Sequence, residues 1–260
     1  MRIEAELPAA AHPIAIEGVR RLMDYQDRGY ADLYLSRLAP IAALDGGDGR
    51  MTCEAARHLA LWMAYEDTVR VADLKVRATR SARVAAEVRV APGQVMSVTD
   101  YMHPRLQEVC EMLPARIGGL VLASPRLSRW LAPLFRRGRH VETTGVRWFV
   151  ALSLVAALRP IRRSTLRFRD EQARIEDWLA FVRETAASDT AAATELILCQ
   201  QLIKGYSDTF ERGLGHFLTI MRAARAFAGS ADMAEHIRTL REAALADDNG
   251  SALACAIKAA

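Results

Sequence analysis

Lysine is nearly absent from this chain: Lys75, Lys204 and Lys258 are the only lysines among 35 basic residues, and all the others are arginine. An arginine excess fits bidentate pairing with carboxylates inside a protein as well as anion contacts outside it, and codon bias produces the same excess. It does not by itself point to nucleic acid. Cysteine is sparse too. Cys53, Cys110, Cys199 and Cys255 form no CxxC pair and no metal-ligand spacing, which excludes a disulfide framework or a zinc ribbon and leaves small thiols in a reducing compartment. The six histidines include no HExxH or HxxxH pair, and neither GxGxxG nor GxxxxGK[ST] occurs, so no standard Gly-rich nucleotide loop is present. Gly47-Asp48-Gly49 invites a thiamine diphosphate site, but such a site needs an asparagine some way downstream, and the single asparagine is Asn249. The opening MRIEAELPAA has no apolar core of a signal peptide. The most apolar run, Val146 to Leu158, is shorter than the ~20 residues of a membrane span and contains Arg147. A cytoplasmic protein with no membrane partner is therefore the expectation.

What is present is apolar and periodic. Of 260 residues 51% are hydrophobic and 25% charged, enough for a sizeable core, and the net charge of +4 is small. The stretch from Met51 to Val90 has no glycine or proline, and Leu59, Trp62, Met63, Val69, Val76 and Val84 recur at threes and fours. It predicts one long helix, and the chain is expected to be all-α, a multi-helix bundle organised around it. Before it, Ile16 to Leu44 reads as helical, and Asp45 to Gly49 as a turn with Thr52 as N-cap. After it, Ala91-Pro92-Gly93 breaks the pattern and Val95 to Tyr101 reads as an extended linker. Pro104 and Ser124-Pro125 mark two helix starts. Thr143 or Thr144 is expected to cap a helix from Val146 to Leu158 that is apolar on nearly every side and so central. Four amphipathic helices follow, at about 170–187, 190–203, 209–228 and 231–246. The expected organisation is a tail at 1–15, one helical domain at 16–246 with possible halves 16–134 and 141–246, and a tail at 247–260.

Three constellations carry polar chemistry. Glu66, Arg70, Asp73 and Arg77 fall at i, i+4, i+7 and i+11 of the predicted long helix, one stripe of alternating acids and bases. If buried, it fixes register between helices; if it opens on a cavity, it binds a charged ligand. No nucleophile accompanies it. His103, beside the helix start at Pro104, is placed to meet an anion or an acidic partner. Lys204-Gly205-Tyr206-Ser207-Asp208 sets a flexible glycine between two helices, with Ser207 or Asp208 as cap and Lys204 complementing a helix dipole or contacting an acidic group. The basic clusters at 136–140 and 159–163 lack interleaved aromatics, so nucleic acid is not the expected partner.

Together these segments resemble a known domain. Asp24-Tyr25-Gln26-Asp27, Tyr30-Ala31, Tyr34-Leu35, Ala56-Arg57, the string WMAYEDTVRVADLK from Trp62 to Lys75, His103-Pro104-Arg105, Leu113-Pro114-Ala115, Arg162-Arg163-Ser164 and Lys204-Gly205-Tyr206 with Asp208-Thr209 stand in the order found in the C-terminal helical domain of indolepyruvate ferredoxin oxidoreductases. The resemblance runs from about Val19 to about Leu218 and departs at Ser207, where a glycine is expected. It implies a part of an oxidoreductase complex that decarboxylates aryl 2-oxoacids to acyl-CoA. Thiamine diphosphate, iron-sulfur clusters and CoA are then expected on partner domains and none on this chain, no catalytic residue carries over, and the partners are the catalytic subunits. The alternative from the residues alone is a stand-alone structural or regulatory interaction module without catalysis.

Overall fold

The computed structural model describes residues 2–259 except Pro92, Pro104, Arg136 and Tyr206. The fold is all-α apart from one two-stranded ribbon. Its helices are α1 (Arg2–Glu6), α2 (His12–Tyr25), α3 (Arg28–Ala42), α4 (Arg50–Met63), α5 (Thr68–Val76), α6 (Ala78–Glu87), α7 (Leu106–Met112), α8 (Ala115–Ala123), α9 (Pro125–Leu131), α10 (Val146–Ala156), α11 (Leu166–Ala186), α12 (Thr190–Leu198), α13 (Ser207–Ala226), α14 (Met233–Ala246) and α15 (Ser251–Ala259). Short 3-10 turns occupy Ala9–Ala11, Ala132–Phe135, Arg159–Ser164 and Cys199–Leu202. The chain divides into two compact units, one of residues 1–64 with 174–260 and one of residues 65–173. The halves expected at 16–134 and 141–246 are thus replaced by an inserted unit. Both expected tails carry helix, α1 at the start and α15 at the end.

The predicted long helix is three helices. After Met63 the chain leaves helical geometry, and Asp67 turns extended (φ −83°, ψ 170°) so that its carboxylate accepts the Arg70 backbone N–H at 2.6 Å and starts α5. At Arg77 (φ −68°, ψ 135°) the chain breaks again before α6. On an unbroken helix Lys75 and Arg80 would point about 140° apart. With the break, both reach the Asp100 carboxylate at 3.0 Å.

In the unit of residues 1–64 and 174–260, α4 is the buried centre and packs against α2, α3 and α12. Trp62 lies edge-on to Phe217 at 5.2 Å and tilted against Trp178 at 5.3 Å, a large apolar payload in one cluster. The buried hydroxyls are satisfied: Tyr30 donates to the Met63 carbonyl and Tyr34 to that of Ala56, each at 2.9 Å. Gly18 lets α2 approach the Tyr34 ring, since a Cβ there would sit 2.5 Å from the Tyr34 oxygen. The start of α4 is held by Asp45, which accepts from both the backbone N–H (2.8 Å) and the hydroxyl (2.6 Å) of Thr52; Thr52 is bound by a cap, while the N-cap position is Gly49.

In the unit of residues 65–173, the segment expected as a linker ends in β1 (Thr99–Met102), antiparallel to β2 (Arg139–Glu142) with Tyr101 opposite His140. Thr143 and Thr144 serve this ribbon rather than capping α10: the Thr143 hydroxyl bonds the Val98 carbonyl and the Thr144 oxygen accepts the Val98 N–H. Ser124 does cap α9, as expected. The largest departure is α10. It packs against α5 but buries none of its residues fully, and α5 is its main partner among the described residues.

Candidate functional site: an arginine-rimmed apolar face

The four-residue stripe resolves into three. Asp73 accepts from Arg70 at 3.0 Å and from Arg77 at 2.5 Å, all three part-buried, and Arg77 reaches back from the kink after α5. Glu66 is exposed in the connection before α5 and forms no ion pair among the described residues. The helical wheel failed here because Glu66 is not on a helix; its neighbour Asp67 is the working acid. Arg162, 1% exposed, donates to Asp67 at 2.8 Å and 3.3 Å. A signal for Asp67 was available, since Asp followed by Thr-Val-Arg is a sound N-cap.

A second network was not foreseen. Arg167 lies between Glu111 (3.1 Å) and the fully buried Glu171 (2.8 Å), its guanidinium 5.5 Å from the centre of the Tyr65 ring. Burial opposes its charge, but Glu171 and Glu111 more than offset this and hold the group above its ordinary value. Glu171 was hidden because nothing local distinguishes a buried glutamate from the solvated ones along an amphipathic helix. These pairs tie α5, α7, α11 and the turn Arg159–Ser164 together, and the Leu166 N–H donates to the Leu113 carbonyl beside a Pro114–Thr165 bridge.

On this frame sit helices whose apolar side chains face out. In α8, Gly118 packs against the Cys110 carbonyl so closely that a Cβ would lie 2.2 Å from it, and Leu120 is left 71% exposed. Trp130 on α9 is 75% exposed, and on α10 Val146 is 80% and Leu154 66% exposed, with Phe149 and Val150 also outside. Singly such residues are ordinary; several on the short helices α8, α9 and α10 of one unit mark surface suited to contact. From Met112 to Leu166 the sequence holds ten arginines and one acid, Glu142. Arg162 is spent on Asp67, while Arg116, Arg126, Arg129, Arg137, Arg139 and Arg147 are exposed. An apolar surface set among cations suits an apolar patch rimmed by carboxylates.

The other predicted residues lie elsewhere. His103 is exposed between β1 and α7, with Nε2 3.1 Å from the Phe135 carbonyl. Asp208 is exposed in the first turn of α13. Tyr206 and the Ser207 side chain lie outside the described residues. Lys204 is exposed at a cleft bounded by the start of α13 and the end of α14. Among the described residues no group of three His, Cys, Asp or Glu is placed to hold a metal ion, and no helix is long and apolar enough to cross a membrane.

A family model described as a family of unknown function (DUF6537) matches residues 11–223, and the chain belongs to that family. No curated protein and no solved structure matches the chain.

Proposed function

As a member of a family without an assigned function, the chain must be read from its own surface, and we propose that it is an accessory helical component of an indolepyruvate-type 2-oxoacid ferredoxin oxidoreductase. The observation that carries this reading is the set of exposed apolar side chains on α8, α9 and α10, within a segment whose exposed charges are almost all arginine. A side chain such as Trp130 or Phe149 gains about 1.5 to 3 kcal/mol when moved from water into a partner's pocket, and exposed arginines around it select an acidic rim. The sequence resemblance supplies the partner: the catalytic subunits that bind thiamine diphosphate, iron-sulfur clusters and CoA. Those groups belong to the partner, and this chain's work is to dock, cover apolar surface and exclude water at the contact.

The reading is tested by anaerobic capture at low salt with tagged protein, the bound chains identified by mass. Recovery of subunits carrying thiamine diphosphate and iron-sulfur clusters is expected, with loss of that recovery in a Leu120→Asp/Phe149→Asp variant and retention in Ile16→Asp, which alters an exposed residue of the other unit. Partners lacking both cofactors would replace this reading with that of a stand-alone interaction module. Recovery unaffected by the double substitution would remove the apolar face from it.

A further inference from the structure

One cleft lies in the unit of residues 1–64 and 174–260. It is a shallow, open cleft lined by Lys204, Thr209, Arg212 and His216, with Leu202, Ala244 and Leu245 supplying apolar surface and Asp248 among the lining groups. Local geometry explains why these groups meet. Thr209, Arg212, Gly213 and His216 fall at i, i+3, i+4 and i+7 of α13, which is one face of the helix. Gly213 lets that face press on the turn Cys199–Leu202, since a Cβ there would lie 2.1 Å from the Leu202 carbonyl oxygen. Gly205, at φ +78°, lies close against Thr209, since a Cβ there would sit 2.8 Å from the Thr209 Cγ2. Gly250 packs against His216, where a Cβ would come within 2.7 Å of its Nε2.

Among the described residues, the two permanent cations of this cleft form no ion pair. Arg37, Arg225, Arg238 and Arg241 of the same unit each hold a carboxylate. Among the described residues, Lys204 and Arg212 hold none, and Arg212 only touches the Thr209 hydroxyl at 3.4 Å. We infer that this cleft binds a phosphate group, received by Lys204, Arg212, His216 and the Thr209 hydroxyl. Donors from three side-chain types at different heights along α13 match a tetrahedral oxyanion with several free oxygens, whereas a carboxylate would leave part of the set unmet. Lys204 and Arg212 bring two permanent positive charges to a dianion, with Asp248 the one carboxylate among the lining residues. The apolar surface lowers the local dielectric and strengthens each contact.

The test is a titration of the full-length protein with inorganic phosphate at constant ionic strength, followed through the His216 ring resonances in NMR spectra, which His216→Gln assigns. Saturation on the order of 1 mM is expected, as suits a small ion at an exposed charged site. Lys204→Gln and Arg212→Gln should each weaken it about tenfold, the loss of one charge-assisted contact, at unchanged melting temperature. Asp248→Asn should tighten it by removing a like charge. Phenyl phosphate binding more tightly than phosphate assigns the site to an organic phosphomonoester, and equal affinity assigns it to the free ion. A shift that never saturates, equal binding by the Lys204 and Arg212 variants, or acetate binding as tightly as phosphate overturns the inference. No partner subunit enters this experiment, so its outcome is independent of the docking reading.

Discussion

Asp67 holds two partners at once, accepting the Arg70 backbone N–H at 2.6 Å and the Arg162 guanidinium at 2.8 Å, and so joins the start of α5 to a turn 95 residues away. Removing one member of a buried pair leaves the other charged and unpaired, which costs about 3 to 5 kcal/mol. Asp67→Asn, which also weakens the cap, is therefore expected to destabilise by roughly 3 kcal/mol in urea unfolding. Glu66→Gln, one residue away and exposed, is expected to change stability by less than about 0.5 kcal/mol. Equal effects of the two would refute the assignment of Asp67 as the structural acid.

Gly18→Ala pits helix propensity against packing. Alanine gains about 1 kcal/mol inside a helix relative to glycine, but here its methyl would meet the buried Tyr34 ring and force a shift costing about 1 to 3 kcal/mol. Net destabilisation is expected by chemical denaturation. Combining Gly18→Ala with Tyr34→Phe, which removes the nearest atom of the clash, should cost less than the sum of the two single changes.

His58 titrates against the fold. Burial lowers its pKa most, and the Gln200 side chain, with Oε1 2.9 Å from Nδ1, and the nearby Glu54 only partly oppose this. The unfolded chain therefore binds a proton that the folded chain resists. The stability contributed by neutral His58 is full above the ordinary value of about 6.5 and is lost as pH falls from there toward the folded pKa. Unfolding free energy measured from pH 7.5 to pH 5.5 should fall less steeply in His58→Gln than in the parent protein.

The thiols should separate by burial. Cys199 is fully buried and burial pushes its thiol well up, and burial raises Cys110 likewise, while Cys255 is exposed on α15. A maleimide reagent at neutral pH, read by peptide mass, should label Cys255 first, Cys53 more slowly, and Cys110 and Cys199 only when the chain unfolds. Early labelling of Cys199 would contradict the packing of α12 and the turn after it.

Much of the helical content was legible in residue periodicity, because amphipathic spacing and caps are local. Ser124 before Pro125 marked α9, and the 170–246 region read as four helices at close to their observed bounds. Of the candidate docking helices, α9 and α10 were legible as helices, α8 was not, and α10 was misread as to place. Val146 to Leu158 is apolar enough to be a core helix, and composition alone cannot distinguish burial within the chain from burial against another one. The acid stripe failed for a related reason: a helical wheel assumes an unbroken helix, and Asp67 left it to meet Arg162.

The order of apolar residues, the caps and the arginine-rich composition determined that this chain would be helical, and roughly where each helix would lie. Long-range pairing determined the rest. Asp67 with Arg162, Arg167 with Glu111, and Lys75 and Arg80 on Asp100 join residues far apart in the chain. Such pairs form only where the backbone can bend to satisfy them, so the breaks in the long helix, the exposure of α10 and the cleft at Lys204 follow from which groups meet in space.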